Sequence, residues 1–170
     1  MRYAGIMEND ISDGIEGISV SFWTQGCPLH CKNCQNHQTW DFNGGYELPE
    51  DYLERIDKDI TNNGIMRNLS ILGGEPLCDE NIPLVESIVS HVRSKFPSIK
   101  IILWSGYKYE ELLAKNNNLL HRILAQSDIL IDGRYEESNR DITLQLRGST
   151  NQRIIDLKKS IEENKVILYK

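Results

Sequence analysis

Short apolar runs alternating with helix-period segments constrain this chain more than any other feature of its sequence. "IKIILW" (99–104) and "DILI" (128–131) are almost wholly apolar, the pattern of strands covered on both faces. "GISVSFWTQG" (17–26) alternates Ile18, Val20 and Phe22 with Ser19 and Ser21, and "NLSILGGEP" (68–76) is a short strand-like run ending in two glycines. Helical patterns lie between these runs. "PEDYLERIDKDITNNG" (49–64) opens with Pro49 and two acids, sets Leu53, Ile56 and Ile60 on one face, and stops at Gly64. "IPLVESIVSHVRSKF" (82–96) places Leu84, Val85, Ile88, Val89 and Val92 at helical spacing. "YEELLAKNNNLLHRILAQ" (109–126) reads as two short helices broken at 116–118.

The resulting order, strand, loop, helix, strand, helix, strand, helix, strand, predicts an α/β fold with a mostly parallel sheet and right-handed crossovers. Ligands of such sheets bind beyond the carboxyl ends of the strands. Four segments follow predicted strands and are expected to meet there: the cysteine-rich 24–36, Gly-Gly-Glu-Pro (73–76), Trp-Ser-Gly-Tyr (104–107) and Asp-Gly-Arg-Tyr (132–135). No repeat, low-complexity tract or linker divides the chain, so residues 1–170 are expected to form one domain. A net charge of −6 speaks against non-specific nucleic-acid binding, which needs a basic face. No apolar run approaches the ~18 residues of a membrane span. The N-terminus lacks the regions of a signal peptide, and the expected compartment is the cytoplasm, where thiols stay reduced.

Three of the four cysteines, Cys27, Cys31 and Cys34, fall within eight residues, in "TQGCPLHCKNCQN". Clustered cysteines in a reducing compartment bind metal or do redox chemistry. The loop alone leaves three alternatives. Three thiolates can hold three corners of a [4Fe–4S] cubane and leave the fourth iron open to an outside ligand. They can instead bind zinc with His30 or His37 as the fourth ligand. Cys31 and Cys34 can also form a dithiol, which leaves Cys27 surplus. Cys78 stands apart and reads as a small buried thiol. Gly73 and Gly74 permit positive φ and close backbone approach to a ligand, and the Glu75 carboxylate suits an ammonium group. An ordinary strand-to-helix turn would explain the same residues.

Together, the Cys-x3-Cys-x2-Cys loop and the downstream strand ending in Gly-Gly-Glu resemble the radical S-adenosylmethionine superfamily. The resemblance implies a single-domain partial (β/α) barrel and a [4Fe–4S] cluster held by Cys27, Cys31 and Cys34. It implies S-adenosylmethionine on the open iron, contacted by Asn33, Cys34, Gln35, Gly73, Gly74 and Glu75. Most of the superfamily carries an aromatic residue where this chain has Asn33. Activating proteins of anaerobic, class III ribonucleotide reductase often lack that aromatic residue.

"CQNHQTWDFNGG" (34–45) resembles the post-cysteine segment of glycyl-radical-enzyme activases. "WSGY" (104–107), "DGRYEESNRD" (132–141) and "LRGSTNQRIIDL" (146–157) resemble segments of the class III activating proteins. The likeness spans about residues 15 to 157 and lifts Arg147, Asn151 and Gln152 above an ordinary polar strand. It implies an oxidoreductase in which the reduced cluster cleaves S-adenosylmethionine and a 5′-deoxyadenosyl radical takes a Cα hydrogen from a glycine. That glycine belongs to the large subunit of anaerobic ribonucleotide reductase, and the electron comes from a reductant such as flavodoxin. No general acid or base is implied. An activase of pyruvate formate-lyase, or of another glycyl-radical enzyme, would keep the chemistry and change the partner. A zinc-stabilised binding module without catalysis is the alternative from a different class.

Overall fold

The apolar runs become the centre of one seven-stranded sheet. The computed structural model describes residues 1–170. Its strands are β1 (Arg2–Asp10), β2 (Ser19–Thr24), β3 (Tyr46–Glu47), β4 (Asn68–Gly73), β5 (Ile101–Ser105), β6 (Ile129–Asp132) and β7 (Arg153–Asp156). The helices are α1 (Tyr52–Ile60), α2 (Ile82–Lys95), α3 (Tyr109–Ala114), α4 (Asn118–Gln126) and α5 (Leu157–Glu163). Strand order is β3-β1-β2-β4-β5-β6-β7. The expectation of a mostly parallel sheet holds for the centre, where β2, β4, β5 and β6 run parallel. At both sides it gives way to a mixed sheet, because β1, β3 and β7 pair antiparallel with their neighbours. Those strands reach their partners through loops or as neighbouring chain segments, so no helical crossover forces them parallel.

The two faces of the sheet differ. Leu69 and Ile71 of β4, Ile101 and Leu103 of β5, and Leu130 of β6 join a 24-residue core with residues of α1, α2 and α4. Burying this face gives the central strands their stability, at about 1.5–3 kcal/mol per large aliphatic side chain. The opposite face carries a cluster of only four buried residues, Ile15, Ile102, Ile129 and Ile131, with Trp104 and Leu146 packed on it. No helix contributes there. The cover consists of the β1–β2 connection, the long β6–β7 connection and the C-terminal tail, to which Ile15, Leu146 and Tyr169 belong. Ser21, one of the polar residues alternating along β2, and Ser70 of β4 are buried under this cover. Ser21 donates to Asp10 Oδ2 at 2.6 Å and Ser70 to the Asp13 carbonyl at 2.6 Å.

Local chemistry places the helix ends. Asn117 accepts from the Leu120 N–H at 3.1 Å and caps α4, as Asp156 caps α5 by accepting from Lys159 at 3.0 Å. Pro83 occupies the first turn of α2, where no N–H is needed. No helix is long and apolar enough to cross a membrane.

Candidate metal centre and cavity

The cysteine loop is rooted by backbone hydrogen bonds from three directions. Where β2 ends, Gly26 donates to the Thr39 carbonyl at 2.7 Å and Cys27 to the Trp40 carbonyl at 3.1 Å. From β4, Gly74 donates to the Thr24 carbonyl and Glu75 to the Gly26 carbonyl, each at 2.9 Å. From the start of α2, the Asn81 amide donates to the same Gly26 oxygen at 3.2 Å. Glycine is needed at two of these points. A Cβ on Gly26 would lie 2.1 Å from the Phe42 ring, and one on Gly74 would lie 2.3 Å from the Gly26 oxygen. Gln25, buried behind the root, donates to the Asp41 carbonyl at 2.7 Å and fixes the segment that follows the cysteines.

All four cysteines are free thiols. Cys27 is buried, whereas Cys31 and Cys34 are partly exposed. Burial pushes the Cys27 and Cys31 thiols up. The Arg134 cation and the Tyr135 backbone N–H oppose that effect at Cys31. Asn36 N–H donates to Cys34 Sγ at 3.4 Å. Cys78 is buried outside this loop, and burial pushes it up to about 12. The two histidines weighed as zinc ligands are used in packing. His30 stacks on Trp40 with centroids 4.5 Å apart at 15°, and His37 meets the same ring edge-on at 6.5 Å.

The chemistry of the donors fits an iron–sulfur cluster, although no three of the side chains are gathered here into a group that could hold a metal ion. Three soft thiols share one loop, no Asp or Glu occurs between Cys27 and Thr39, and an amide hydrogen bond at sulfur is of the kind that tunes such centres.

A cavity of about 450 Å³ opens beside this loop at the carboxyl ends of β2, β4 and β5, lined there by Trp23, Gly73 and Ser105. Cys34, Gln35 and Asn36 form one wall, and Gly73 and Gly74 lie in the floor. Four of the six residues expected at the cofactor therefore share the cavity. The other two do not line it. Asn33 is exposed and takes the left-handed turn at φ 58° that precedes Cys34, a conformation asparagine tolerates. Glu75 is 1% exposed and its carboxylate is already engaged. Oε1 accepts from Leu77 N–H at 3.0 Å and Ser105 Oγ at 2.8 Å, and Oε2 from Gly106 N–H at 2.7 Å. Burial still pushes this carboxyl above its ordinary value.

The far wall is the β6–β7 connection, tied together by the segments that carried the resemblance. Gln152 Oε1 accepts from Gly148 and Ser149 N–H at 2.9 and 3.1 Å, and Gln152 Nε2 donates to the Gly133 carbonyl at 3.0 Å. Asn151 donates to the Arg134 carbonyl at 2.8 Å, and Trp104 Nε1 to the Leu146 carbonyl at 2.9 Å. Arg147 and Gln152 line the cavity. Sequence reasoning missed Ser12 and Asp13, which line it from the β1–β2 connection. Burial, with the Asp10 charge beside it, pushes the Asp13 carboxyl up to about 6. The one signal was an Asp-Gly dipeptide, which reads as a turn.

Three free thiols on a loop at the carboxyl rim of an α/β sheet, one of them, Cys34, lining a ligand-sized cavity, are the donor pattern of an iron–sulfur protein, and the family comparison gives the class. The 4Fe-4S single cluster domain family matches residues 13–155, which run from Asp13 into β7. A protein of Pasteurella multocida is 34% identical over 153 residues, 89% of this chain and 95% of that one. One of Escherichia coli K12 is 31% identical over 89% of this chain and 96% of its own. One of Enterobacteria phage T4 is 32% identical over 91% of this chain and 93% of its own. All three are named anaerobic ribonucleoside-triphosphate reductase-activating protein. The chain belongs to the 4Fe-4S single cluster domain family and, within it, to the anaerobic ribonucleoside-triphosphate reductase-activating proteins.

Proposed function

We propose that this chain is a radical S-adenosylmethionine activase of anaerobic ribonucleotide reductase. It holds its [4Fe–4S] cluster on Cys27, Cys31 and Cys34, takes S-adenosylmethionine into the cavity, and generates a glycyl radical on the reductase's large subunit. The observation that carries this reading is one juxtaposition: the Cys34–Asn36 turn and the Gly73–Gly74 strand end line the same cavity of about 450 Å³. That volume falls in the range of small-molecule sites, roughly 300–1,000 Å³. We read the chain as one domain, a partial (β/α) barrel with its helix-covered face outward, working in the cytoplasm with a one-electron reductant such as flavodoxin.

Held on Cys27, Cys31 and Cys34, the cluster would supply the electron for reductive cleavage of S-adenosylmethionine, and with it the hydrogen-abstracting chemistry directed at the partner's glycine. The residues of the chain bind, orient and exclude water. Cys34, Gln35, Gly73 and Gly74 would contact the cofactor directly, the glycines through a backbone held close against Thr24 and Gly26, where a Cβ would clash. Asn33 works from behind by turning the chain into Cys34. Glu75 works from beneath by holding the Gly106 and Leu77 amides together.

Anaerobic reconstitution and reduction test this. The expected result is a brown protein with roughly four iron and four sulfide per chain. It should release 5′-deoxyadenosine and leave a glycyl-radical signal in electron paramagnetic resonance when the reductase is added. A colourless protein holding one zinc, or a loaded protein that leaves the cofactor intact, would overturn the reading.

A further inference from the structure

Ile142 and Ile11 are the two most exposed large apolar side chains of the molecule, at 82% and 80%. They lie far apart in sequence, one on each of two connections that contribute lining residues to the cavity. Ile142 lines the cavity from the β6–β7 connection, and Ile11 immediately precedes Ser12 and Asp13, which line it from the β1–β2 connection. Both connections rest on the same small cluster on the open face of the sheet, through Ile15 and Leu146 respectively.

Neither isoleucine sits on a loosely tethered segment. Asp10 Oδ1 accepts from Ser12 N–H at 2.9 Å, Ser12 Oγ at 2.8 Å and Asp13 N–H at 3.1 Å, which closes the turn around Ile11. Asp141 N–H donates to the Gly148 carbonyl at 3.1 Å, and Arg140 bridges Ser149, which closes the loop around Ile142. Two apolar side chains are thus held out into water on supported backbone, each on a connection that borders the cavity. Pre-organised apolar groups of this kind cost little further ordering when a partner buries them.

A small polar cofactor has little use for two apolar side chains that stand this far out into water. A polypeptide entering the cavity does. A glycine has no side chain to be read, so a segment that delivers a glycine must be seated by its flanking residues and its backbone. We propose that Ile11 and Ile142 are paired apolar anchors that seat the glycine-bearing segment of the reductase's large subunit at the cavity. The inference rests on the activase reading, because that reading requires a glycine of the partner to reach this cavity.

The test uses the reconstituted full-length chain and the full-length reductase. Dissociation constants are measured by biolayer interferometry for the wild type, Ile11→Asp, Ile142→Asp, the double variant and Ile142→Val. Each Asp variant is expected to weaken reductase binding at least about tenfold, the size of a buried apolar anchor, while Ile142→Val stays near the wild type. Asp variants that bind within about twofold of the wild type overturn the anchor proposal, even if the wild type cleaves S-adenosylmethionine and activates the reductase. A loaded wild type that neither cleaves nor activates overturns the activase reading, and the proposal with it. Sedimentation velocity supplies the remaining outcome: if the Asp variants abolish self-association and leave reductase binding untouched, the patch seats a second copy and the proposal fails.

Discussion

Glu75 donates its backbone N–H to the Gly26 carbonyl at 2.9 Å, so the Gly-Gly-Glu strand end and the root of the cysteine loop form one hydrogen-bonded unit. The Glu75 carboxylate extends that unit to β5 through Ser105 and Gly106. Two motifs about 50 residues apart in the chain are therefore a single mechanical part. Disturbing either one moves the cysteines relative to the cavity floor.

Gly74→Ala tests that coupling. Its Cβ would sit 2.3 Å from the Gly26 oxygen and 2.9 Å from the Gly26 carbonyl carbon, both backbone atoms that cannot rotate away. The expected cost is about 2–4 kcal/mol, measured by urea unfolding, with loss of iron binding under conditions where the wild type loads. Gly5→Ala is the control, since a Cβ there meets nothing within 4 Å. It should stay within about 0.5 kcal/mol of the wild type. Equal effects from the two substitutions would refute the coupling.

The cysteines divide three to one. Cys27→Ala, Cys31→Ala and Cys34→Ala are each expected to lose the visible absorbance and most of the bound iron after reconstitution. Cys78→Ala should keep both, because that thiol lies outside the cysteine loop, buried in the turn between β4 and α2. Its cost should be confined to stability, about 1 kcal/mol from the small void. Iron analysis and an absorbance spectrum of each variant decide the matter. Iron loss in Cys78→Ala alone would reverse the assignment of ligands.

What the sequence made legible follows its local periodicity. The strands β2, β4, β5 and β6 announce themselves because their side chains alternate or are apolar throughout, and α1 and α2 because their buried residues repeat at helical spacing. β1 hides, since "RYAGIMEND" is half-exposed and gains its stability from pairing with β2 on one side and β3 on the other. β7 hides because four residues, two of them charged, carry no period. Cys34 and the paired glycines, which share the cavity, could be singled out from spacing. The burial of Glu75 could not, because it depends on a serine and an amide about 30 residues downstream.

Arg153 is a positional clamp that the same short strand brings into place. Its guanidinium donates to Asp132 through Nε at 3.0 Å and reaches Glu110 at 2.7 Å. Asp132 is fully buried at the end of β6, with the Tyr109 N–H as its other donor at 2.7 Å. Arg153→Ala leaves a buried carboxylate without its cation, at an expected cost of about 3 kcal/mol. Arg153→Lys should recover part of it, since one ammonium replaces a forked donor. Thermal unfolding ranks the three proteins. An Arg153→Ala protein as stable as the wild type would show that Asp132 does not need the ion pair.

Asp13 gives the chain a pH dependence whose sign is fixed by the shift. Its carboxyl is pushed from an ordinary 3.8 up to about 6, first by burial and then by the neighbouring Asp10 charge. The folded chain therefore binds this proton more tightly than the unfolded one. The contribution of Asp13 to stability falls as pH rises from about 4 to about 6, and the penalty is complete above that window. Asp13→Asn removes the ionisation and keeps the shape. Because the group is partly exposed, solvent screening reduces the expected gain to about 1–2 kcal/mol at neutral pH. Urea unfolding of wild type and variant, both cluster-free, at pH ~4 and pH ~8 checks this, with the gain expected only at the higher pH. A gain of the same size at both values would show that the substitution acts through packing and that Asp13 carries no ionisation penalty.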